Sequence, residues 1–278
     1  MKPFALMVLS LSLGTFAADT SATFKDPNLE ANVRTFINGA GPAKPLSQAQ
    51  LDHVYLVSAS NPSSNNRIRD LAGLEKCPNL NTVYLSGSEV SDLTPLSKLA
   101  NLEQLTISGG KVRDLTPLAG LTHLRYLDLS LNQITDLAPL ANLKELQTLN
   151  LSSNAITQIG PLKNLTTLQS LYIDGNKVAD LTPVAELKSL QILSAKENRL
   201  SDLRPLTSLT SWRALYLDKN QVSDLSPLVT MVQPDRQPVK GVTPFWIVSL
   251  RGNPLSDVAR SRDLPEQQKR TFDLLADR

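Results

Sequence analysis

Aspartates recur along this sequence at a regular interval and are its first candidates for chemistry. Most lie 22 residues apart or at a multiple of that step: Asp70, Asp92, Asp114, Asp136, Asp180, Asp202 and Asp224, with Asp257 following. Stacked carboxylates could form a ladder of metal ligands, but no second column of acidic residues accompanies them. Most precede a Leu-x-Pro-Leu segment, as at Asp92, and Asp is a preferred cap of helical turns. We therefore expect turn caps and predict no metal site.

Groups suited to acid–base or nucleophilic catalysis are sparse. The two histidines, His53 and His123, fall in different repeats, so no zinc-ligand cluster or histidine-based triad is visible. Residues 108–111 spell the S-x-x-K pattern of some serine hydrolases but cross the end of a predicted strand. The single cysteine, Cys77, occupies a position that Leu99 fills one repeat later, which predicts a buried thiol. The sequence predicts a protein that is not an enzyme and uses no cofactor.

The element that positions these residues is a 22-residue repeat, most regular from Leu124 to Glu145. Its apolar residues surround a central Asn132 and lie at Leu124, Leu127, Leu129, Ile134, Leu137, Leu140 and Leu143. The asparagine returns at Asn154, Asn176, Asn198 and Asn220, and the same step backwards reaches Gly110, Ser88 and Asn66. This period and the pattern L-x-x-L-x-L-x-x-N are those of a leucine-rich repeat.

A single repeat is not stable on its own. Its seven aliphatic side chains contribute roughly 10–20 kcal/mol on burial, whereas ordering its backbone costs about 1–2 kcal/mol per residue. Stacked repeats share one core and pair their short Leu-x-Leu strands into a parallel sheet. The sequence thus predicts an α/β solenoid whose asparagines point inward and bond loop backbone groups of adjacent coils.

Solvent-facing positions of the predicted strands define a candidate binding surface. The central column holds Tyr55, Tyr84, Thr106, Asp128, Asn150, Tyr172, Ser194, Tyr216 and Ser249. Flanking positions add His53, Tyr126, Ser130, Ser152, Asp174, Lys196, Asp218 and Arg251, and Trp246 lies beside a long loop. All five tyrosines of the chain are predicted on this face. Tyrosines mixed with charges are typical of protein-recognition surfaces. The alternative is that tyrosine simply suits strands.

The period predicts one solenoid with capped ends. We expect a signal peptide over residues 1–17, a helical N-terminal cap over 18–50, about nine strands over 51–257, and a C-terminal cap or tail over 258–278. The first strand is predicted at His53–Val57 with Val54 and Leu56 inward. Extra residues lie near 58–65 and 232–244; the second stretch is either a tolerated surface insertion or a binding loop. Pro265–Ala276 is predicted to form a helix.

The N-terminal cap has its own helix signals. Asp26 can cap a helix that begins at Pro27. Four apolar residues then follow at helical spacing, namely Leu29, Val33, Phe36 and Ile37. We expect this stripe to cover the open end of the first coil.

Charge and the N-terminus bear on location. A net charge of +2 with 19% charged residues implies no strong attraction for nucleic acid. Met1–Ala17 combines one lysine, an apolar run and small residues, which is the anatomy of a secretory signal peptide cleaved near Ala17. The apolar run is too short for a stable membrane span. We predict a secreted, periplasmic or cell-surface monomer; the alternative is that this segment is disordered or buried.

The secretion signal, the helical cap and repeats reading L-x-x-L-x-L-x-x-N-x-[IV]-[ST]-D-L-x-P-L together resemble the bacterial internalin family. Cap segments beginning at Phe24 and Leu46 are also similar to the internalin cap, and the resemblance extends to Asn253. It implies a curved right-handed solenoid with a concave parallel sheet and short 3₁₀ turns on the convex side. It also implies a secreted or surface protein that binds a protein ligand through the concave face.

Two other function classes stay open. One is an intracellular regulatory scaffold, similar to the phosphatase-regulatory proteins that also use 22-residue repeats. It requires that Met1–Ala17 is not a signal peptide. The other is a structural envelope protein without a defined ligand.

Overall fold

The computed structural model describes residues 24–37, 44–60, 67–231, 247–264 and 273–275. They form a solenoid with one ten-stranded sheet whose strands follow chain order and pair in parallel throughout. The strands are β1 Leu56–Ser60, β2 Thr82–Ser86, β3 Gln104–Ser108, β4 Tyr126–Asp128, β5 Thr148–Asn150, β6 Ser170–Tyr172, β7 Ile192–Ser194, β8 Ala214–Tyr216, β9 Ile247–Ser249 and β10 Asp273–Leu275. The predicted leucine-rich repeat fold is confirmed.

Short helical turns return the chain on the side opposite the sheet. Within the described residues, seven are 3₁₀ turns: Leu74–Lys76, Thr94–Leu96, Thr116–Leu118, Ala138–Leu140, Gly160–Asn164, Thr182–Glu186 and Arg204–Ser208. The aspartates before them act as predicted, because a carboxylate oxygen accepts from the backbone N–H two residues later. Asp92 accepts from Thr94 N at 2.8 Å, and Asp180 accepts from Thr182 N at 2.7 Å. Each bond satisfies an amide at the start of its turn.

The apolar residues of the repeat form one continuous core. In the coil from Leu124 onward, the seven predicted core residues are each at most 1% exposed. Trp212 takes the place of the leading leucine in its coil and is 1% exposed. The solenoid is therefore stabilised by burial shared between neighbours.

Inward-pointing asparagines join the coils, as predicted. The Asn132 side chain accepts from Val112 N at 3.0 Å and donates to the carbonyls of Ile107 and Leu129 at 2.7 and 3.0 Å. The Oδ1 atoms of five later asparagines accept equivalent bonds from a backbone N–H of the preceding coil: Asn154, Asn176, Asn198, Asn220 and Asn253. Ser88 and Gly110 occupy the same column two and one coils earlier. Among the described residues, the buried Ser88 hydroxyl finds no hydrogen-bond partner.

A tight turn precedes each of these positions. It places one residue per coil in the left-handed region, with φ between +53° and +73°: Gly87, Gly109, Leu131, Ser153, Gly175, Glu197, Lys219 and Gly252. Glycine adopts this conformation freely, whereas other residues do so at a cost. Four of these eight turns therefore hold a non-glycine residue in a backbone conformation that favours glycine.

The N-terminal cap is built from α1 Pro27–Thr35 and α2 Gln48–Leu51. Asp26 caps α1 by accepting from Asn28 N at 2.8 Å, and its other oxygen accepts from Arg69 N at 2.6 Å. Leu29 and Val33 are fully buried as predicted. Phe36 is 39% exposed, so its prediction as part of the buried stripe is wrong.

The first strand is shifted from its predicted position. Val54 is buried, but Leu56 is 36% exposed, so its inward assignment is wrong. Val57 is buried and lies opposite Val83. Val54 is therefore the leading residue of the L-x-x-L spacing, and the period-2 alternation begins only at Val57.

The far end of the chain also departs from prediction. Residues 226–230 form a short helix, α3 Ser226–Thr230, and a π-helical turn spans Ala259–Asp263. The predicted helix over Pro265–Ala276 is wrong for Asp273–Leu275, which pairs with β9 as a tenth strand. The β9 edge offers unpaired backbone groups, which a further strand satisfies. The insertion at 232–244 and the segment 1–17 lie outside the described residues.

Candidate functional site

Three rows of side chains cover the concave face of β2–β9. The N-terminal row contains Thr82, Gln104, Tyr126, Thr148, Ser170, Ile192, Ala214 and Ile247. The central row contains Tyr84, Thr106, Asp128, Asn150, Tyr172, Ser194, Tyr216 and Ser249. The C-terminal row lies two residues further along each chain segment and contains Ser86, Ser108, Ser130, Ser152, Asp174, Lys196, Asp218 and Arg251. The strand register therefore confirms the predicted central column from Tyr84 to Ser249.

Two predicted site residues differ from expectation. Tyr55 precedes β1 and is aligned with Asn81, so it lies at the rim of the sheet. Ser58, not Tyr55, is the β1 residue paired with Tyr84 of the central row. Thr106 is in the central row but only 4% exposed, since a short side chain beside a tyrosine is easily covered. Trp246 lies outside the described residues.

The first half of this surface, β2–β5, we call the hydroxyl half. Its C-terminal row consists of four serines, and Ser108 Oγ donates to Ser86 Oγ at 3.1 Å. Two tyrosines of the other two rows stand open, with Tyr84 42% and Tyr126 37% exposed. Partial burial, the Asp128 carboxylate, and the nearby Tyr84 and Tyr172 raise the pKa of Tyr126 above its usual value of 10.0. The phenol is therefore a neutral hydrogen-bonding group at physiological pH.

One acid–amide pair marks the end of the hydroxyl half. Asp128 accepts from Ser130 N at 2.9 Å and from Asn150 Nδ2 at 3.1 Å. Asn150 Oδ1 in turn accepts from Ser152 N at 3.1 Å. These bonds hold the side chains of Asp128 and Asn150, two of the predicted binding residues, in fixed positions.

The second half, β6–β9, we call the charged half because its C-terminal row alternates acid and base. Asp174 accepts from Ser194 Oγ at 2.7 Å and from Lys196 N at 2.7 Å, both in the next coil. Asp218 repeats the arrangement one pair of coils later, accepting from Ser249 Oγ and from Arg251 N at 2.9 Å. Hydrogen bonds to an ionised acceptor are the stronger kind. Both carboxylates are therefore held in fixed positions.

The bases of the charged half lie over or beside its tyrosines. The Lys196 ammonium is 4.8 Å from the centroid of the Tyr216 ring, which is a cation–π distance. A shallow depression lies beside this pair, lined among others by Asp218, Ser249 and Arg251. Ser194 and Ser249 are 3% and 4% exposed, so the two tyrosines of this half stand above small, buried neighbours.

Sequence reasoning placed Ser194 and Ser249 in the central column but did not assign them the role of orienting Asp174 and Asp218. Their signal is present in the sequence as Tyr-x-Asp at 172–174 and 216–218, alternating with Ser-x-Lys at 194–196 and Ser-x-Arg at 249–251. A period of two repeats in the solvent-facing positions indicates cross-coil pairs. A search for a period of one repeat does not reveal this alternation.

Reactive groups are not gathered at this surface. No cluster of three or more metal-ligating side chains occurs in the described parts of the chain. Cys77 is fully buried, and burial raises the pKa of its thiol to about 12, so it is an unreactive core residue. The His123 ring lies 3.1 Å from Glu145 on the surface, apart from Cys77 and from His53. Within the same residues, no helix is both long and apolar enough to cross a bilayer.

Comparisons with known proteins agree with this architecture. A family profile described as a leucine-rich repeat region matches residues 79–233. The comparison with curated proteins finds no match. The solved structure of internalin C2 from Listeria monocytogenes is 39% identical, with a TM-score of 0.71, and the alignment covers 75% of this chain and 91% of that one.

More distant structures share the fold alone. The internalin InlF from Listeria monocytogenes is 22% identical, with a TM-score of 0.51 over 95% of this chain and 93% of that one. A leucine-rich repeat protein from Leptospira interrogans is 21% identical, with a TM-score of 0.59 over 82% of this chain and 62% of that one.

Proposed function

The chain belongs to the internalin family of leucine-rich repeat proteins, and on that premise we propose that it binds a protein partner through its concave face. It acts as a secreted or surface-exposed monomeric binding module without catalytic activity, cofactor, bound metal or nucleic-acid partner. The observation that carries the proposal is the content of the three concave rows. They present tyrosines and fixed charges that the hydrophobic core does not need.

The proposed contact residues follow from their positions in these rows. Large open rings supply contact area at low entropic cost, and charges held in place lose little freedom on binding. The residues we assign to partner binding are Tyr84, Tyr126, Asp128, Asn150, Tyr172, Asp174, Lys196, Tyr216, Asp218 and Arg251. Tyr55 and Trp246 remain proposed contributors from the rim and from beside the insertion.

The experiment is a pull-down with the mature protein against envelope and host-cell proteins. The variant Tyr84→Ala, Tyr172→Ala, Tyr216→Ala is expected to lose the captured partner while keeping its thermal transition. A matched triple variant on the convex side, Lys98→Ala, Lys163→Ala, Lys188→Ala, removes three exposed side chains and is expected to keep the partner. Partners retained by the tyrosine variant would contradict binding by the concave face and favour a purely structural role.

Export is the second part of the proposal, supported by the residues of Met1–Ala17. N-terminal sequencing of protein purified from its natural host is expected to begin near Ala18. An intact Met1 in the mature protein would contradict export and favour an intracellular scaffold.

A further inference from the structure

The charged half repeats a pattern of size and charge over every two coils. Its C-terminal row alternates acid and base, as Asp174, Lys196, Asp218 and Arg251. Its central row alternates large and small, as Tyr172, Ser194, Tyr216 and Ser249. Its N-terminal row alternates small and large, as Ser170, Ile192, Ala214 and Ile247. All three rows keep step over the same four strands.

A row of four side chains that alternate strictly in charge or in size is complementary to the same row placed opposite it in reverse order. Its first position meets the fourth, and its second meets the third, so unlike members always face each other. A twofold axis parallel to the strands and midway between β7 and β8 produces this reversal when two copies face each other. Such an axis brings β6 opposite β9 and β7 opposite β8, and it keeps each row facing itself.

We propose that the charged half docks against the same surface of a second copy of this chain. In this pair Asp174 faces the second copy's Arg251, and Lys196 faces its Asp218. Tyr216 lies over the small, buried Ser194, and Tyr172 lies over Ser249 in the depression described above. Ile192 meets Ala214, and Ile247 meets Ser170. Each copy contributes twelve side chains, from three rows on four strands. Each of them faces a side chain of opposite charge or of unequal size in the other copy.

The hydroxyl half lacks this property. Its C-terminal row is four serines, and reversal would place serine on serine. Its single charge, Asp128, would meet the neutral Thr106. Only the charged half is therefore complementary to itself, so the proposed contact covers β6–β9 and no other strands.

The proposed pair requires overlap only at this end of each solenoid. A twofold axis through the overlap gives both concave surfaces the same slope there, and it directs the two hydroxyl halves away from each other. Strands about 4.8 Å apart and rows about 7 Å apart make a patch roughly 15 Å on each side. This is well below the roughly 600 Å² per partner of stable complexes, so the pair is weak and forms only at high concentration.

Sedimentation velocity from about 10 μM to about 1 mM tests the proposal. We expect a monomer at the low end and a growing dimer population at the high end. The variant Lys196→Glu, Arg251→Glu turns the facing pairs into like charges and is expected to weaken association about tenfold or more. The control Lys163→Glu, Lys177→Glu makes the same change in net charge at exposed sites off the patch and is expected to associate like the wild type.

Mixing provides the converse test. The variant Asp174→Lys, Asp218→Lys makes the row entirely basic, so it should not self-associate but should pair with the acidic variant. Because both aspartates also hold serines of the next coil, its thermal transition is measured first. If it does not fold, the acidic variant and its control still decide the question. A wild type that stays monomeric at about 1 mM, or an acidic variant that associates like its control, would overturn the proposal.

Discussion

The hydroxyl half and the charged half of the concave face lie on the same leucine core yet present different chemistry. In the hydroxyl half, the neutral Ser108 hydroxyl bonds Ser86 and two tyrosines stand open. In the charged half, carboxylates are fixed by hydroxyl and amide donors from the next coil. The difference shows that the scaffold constrains only the inward positions. Outward positions are free to differ between coils, which is why one fold can carry many specificities.

The halves differ below the surface as well. The inward asparagine column is continuous through the coils of the charged half, whereas its first two described positions beneath the hydroxyl half are Ser88 and Gly110. Coils of the charged half are therefore joined by more buried hydrogen bonds than the first coils of the hydroxyl half.

The largest predicted effect breaks the asparagine column of the charged half. Asn176→Ala leaves Ile156 N and the carbonyls of Leu151 and Ile173 without their partner, and we expect a loss of about 3 kcal/mol in the free energy of unfolding. Urea denaturation measures the loss.

Ser88→Ala in the hydroxyl half is the matched control for this change. It removes a buried hydroxyl that has no partner among the described residues, and we expect a change close to zero. Similar losses for the two variants would mean that the column does not distinguish the halves.

A smaller effect compares two buried serines on the concave face. Ser194→Ala removes a donor to the Asp174 carboxylate and should cost about 1.5–3 kcal/mol. Ser108→Ala removes a neutral bond to Ser86 and should cost about 0.5–1.5 kcal/mol. The urea midpoints of the two variants give the comparison directly. If Ser108→Ala costs as much as Ser194→Ala, ionised acceptors do not make the charged half more rigid.

Substitutions in the left-handed turn should change the free energy of unfolding by about 1 kcal/mol, with opposite signs in the two halves. At Gly175 a Cβ would meet Ser153 Oγ at an ordinary 3.4 Å, so Gly175→Ala should lower stability mainly through its backbone conformation. At Leu131, 60% exposed with φ +57°, Leu131→Gly should raise stability by a few tenths to about 1 kcal/mol. Thermal unfolding measures both changes. A destabilised Leu131→Gly variant would mean that the side chain makes contacts worth more than the strain.

The smallest effect concerns ionisation in the hydroxyl half. The raised pKa of Tyr126 means that the folded protein binds its proton more tightly than the unfolded chain does. The resulting stability is complete below pH 10 and is lost as the pH rises through the raised value. Asp128→Asn removes one cause and should lower the pKa of Tyr126, as followed by absorbance of the ionised phenol near 295 nm. Asp174→Asn, in the other half, should leave this transition unchanged; an equal shift would mean that Asp128 is not the cause.

Most of the architecture follows from local spacing. The period of 22 predicts the strand order, the inward asparagines and the aspartate caps, because each depends on contacts with the adjacent coil at a fixed offset. The same offset places Tyr84, Tyr172 and Tyr216 in one row. Prediction is wrong where the period is interrupted, at Leu56, and outside the repeat, at Phe36 and at Asp273–Leu275.

The site is less predictable than the fold for a physical reason. Exposure of a concave residue depends on its neighbours in the row, so Thr106 is covered beside Tyr84 although its own position is outward. The pairing of Asp174 with Ser194 requires a hydroxyl in the next coil at hydrogen-bonding distance. Such relations are set by side-chain packing across strands, which a single-repeat pattern does not contain.

The sequence alone determined that the chain winds in stacked coils, most of them 22 residues long, because its aliphatic residues can be buried only by stacking. The tertiary structure decided which outward side chains are open, which charges are fixed, and where the concave face changes from hydroxyls to alternating charges. These properties depend on distances between residues about 22 positions apart, and only the stacked strands bring such residues within hydrogen-bonding reach.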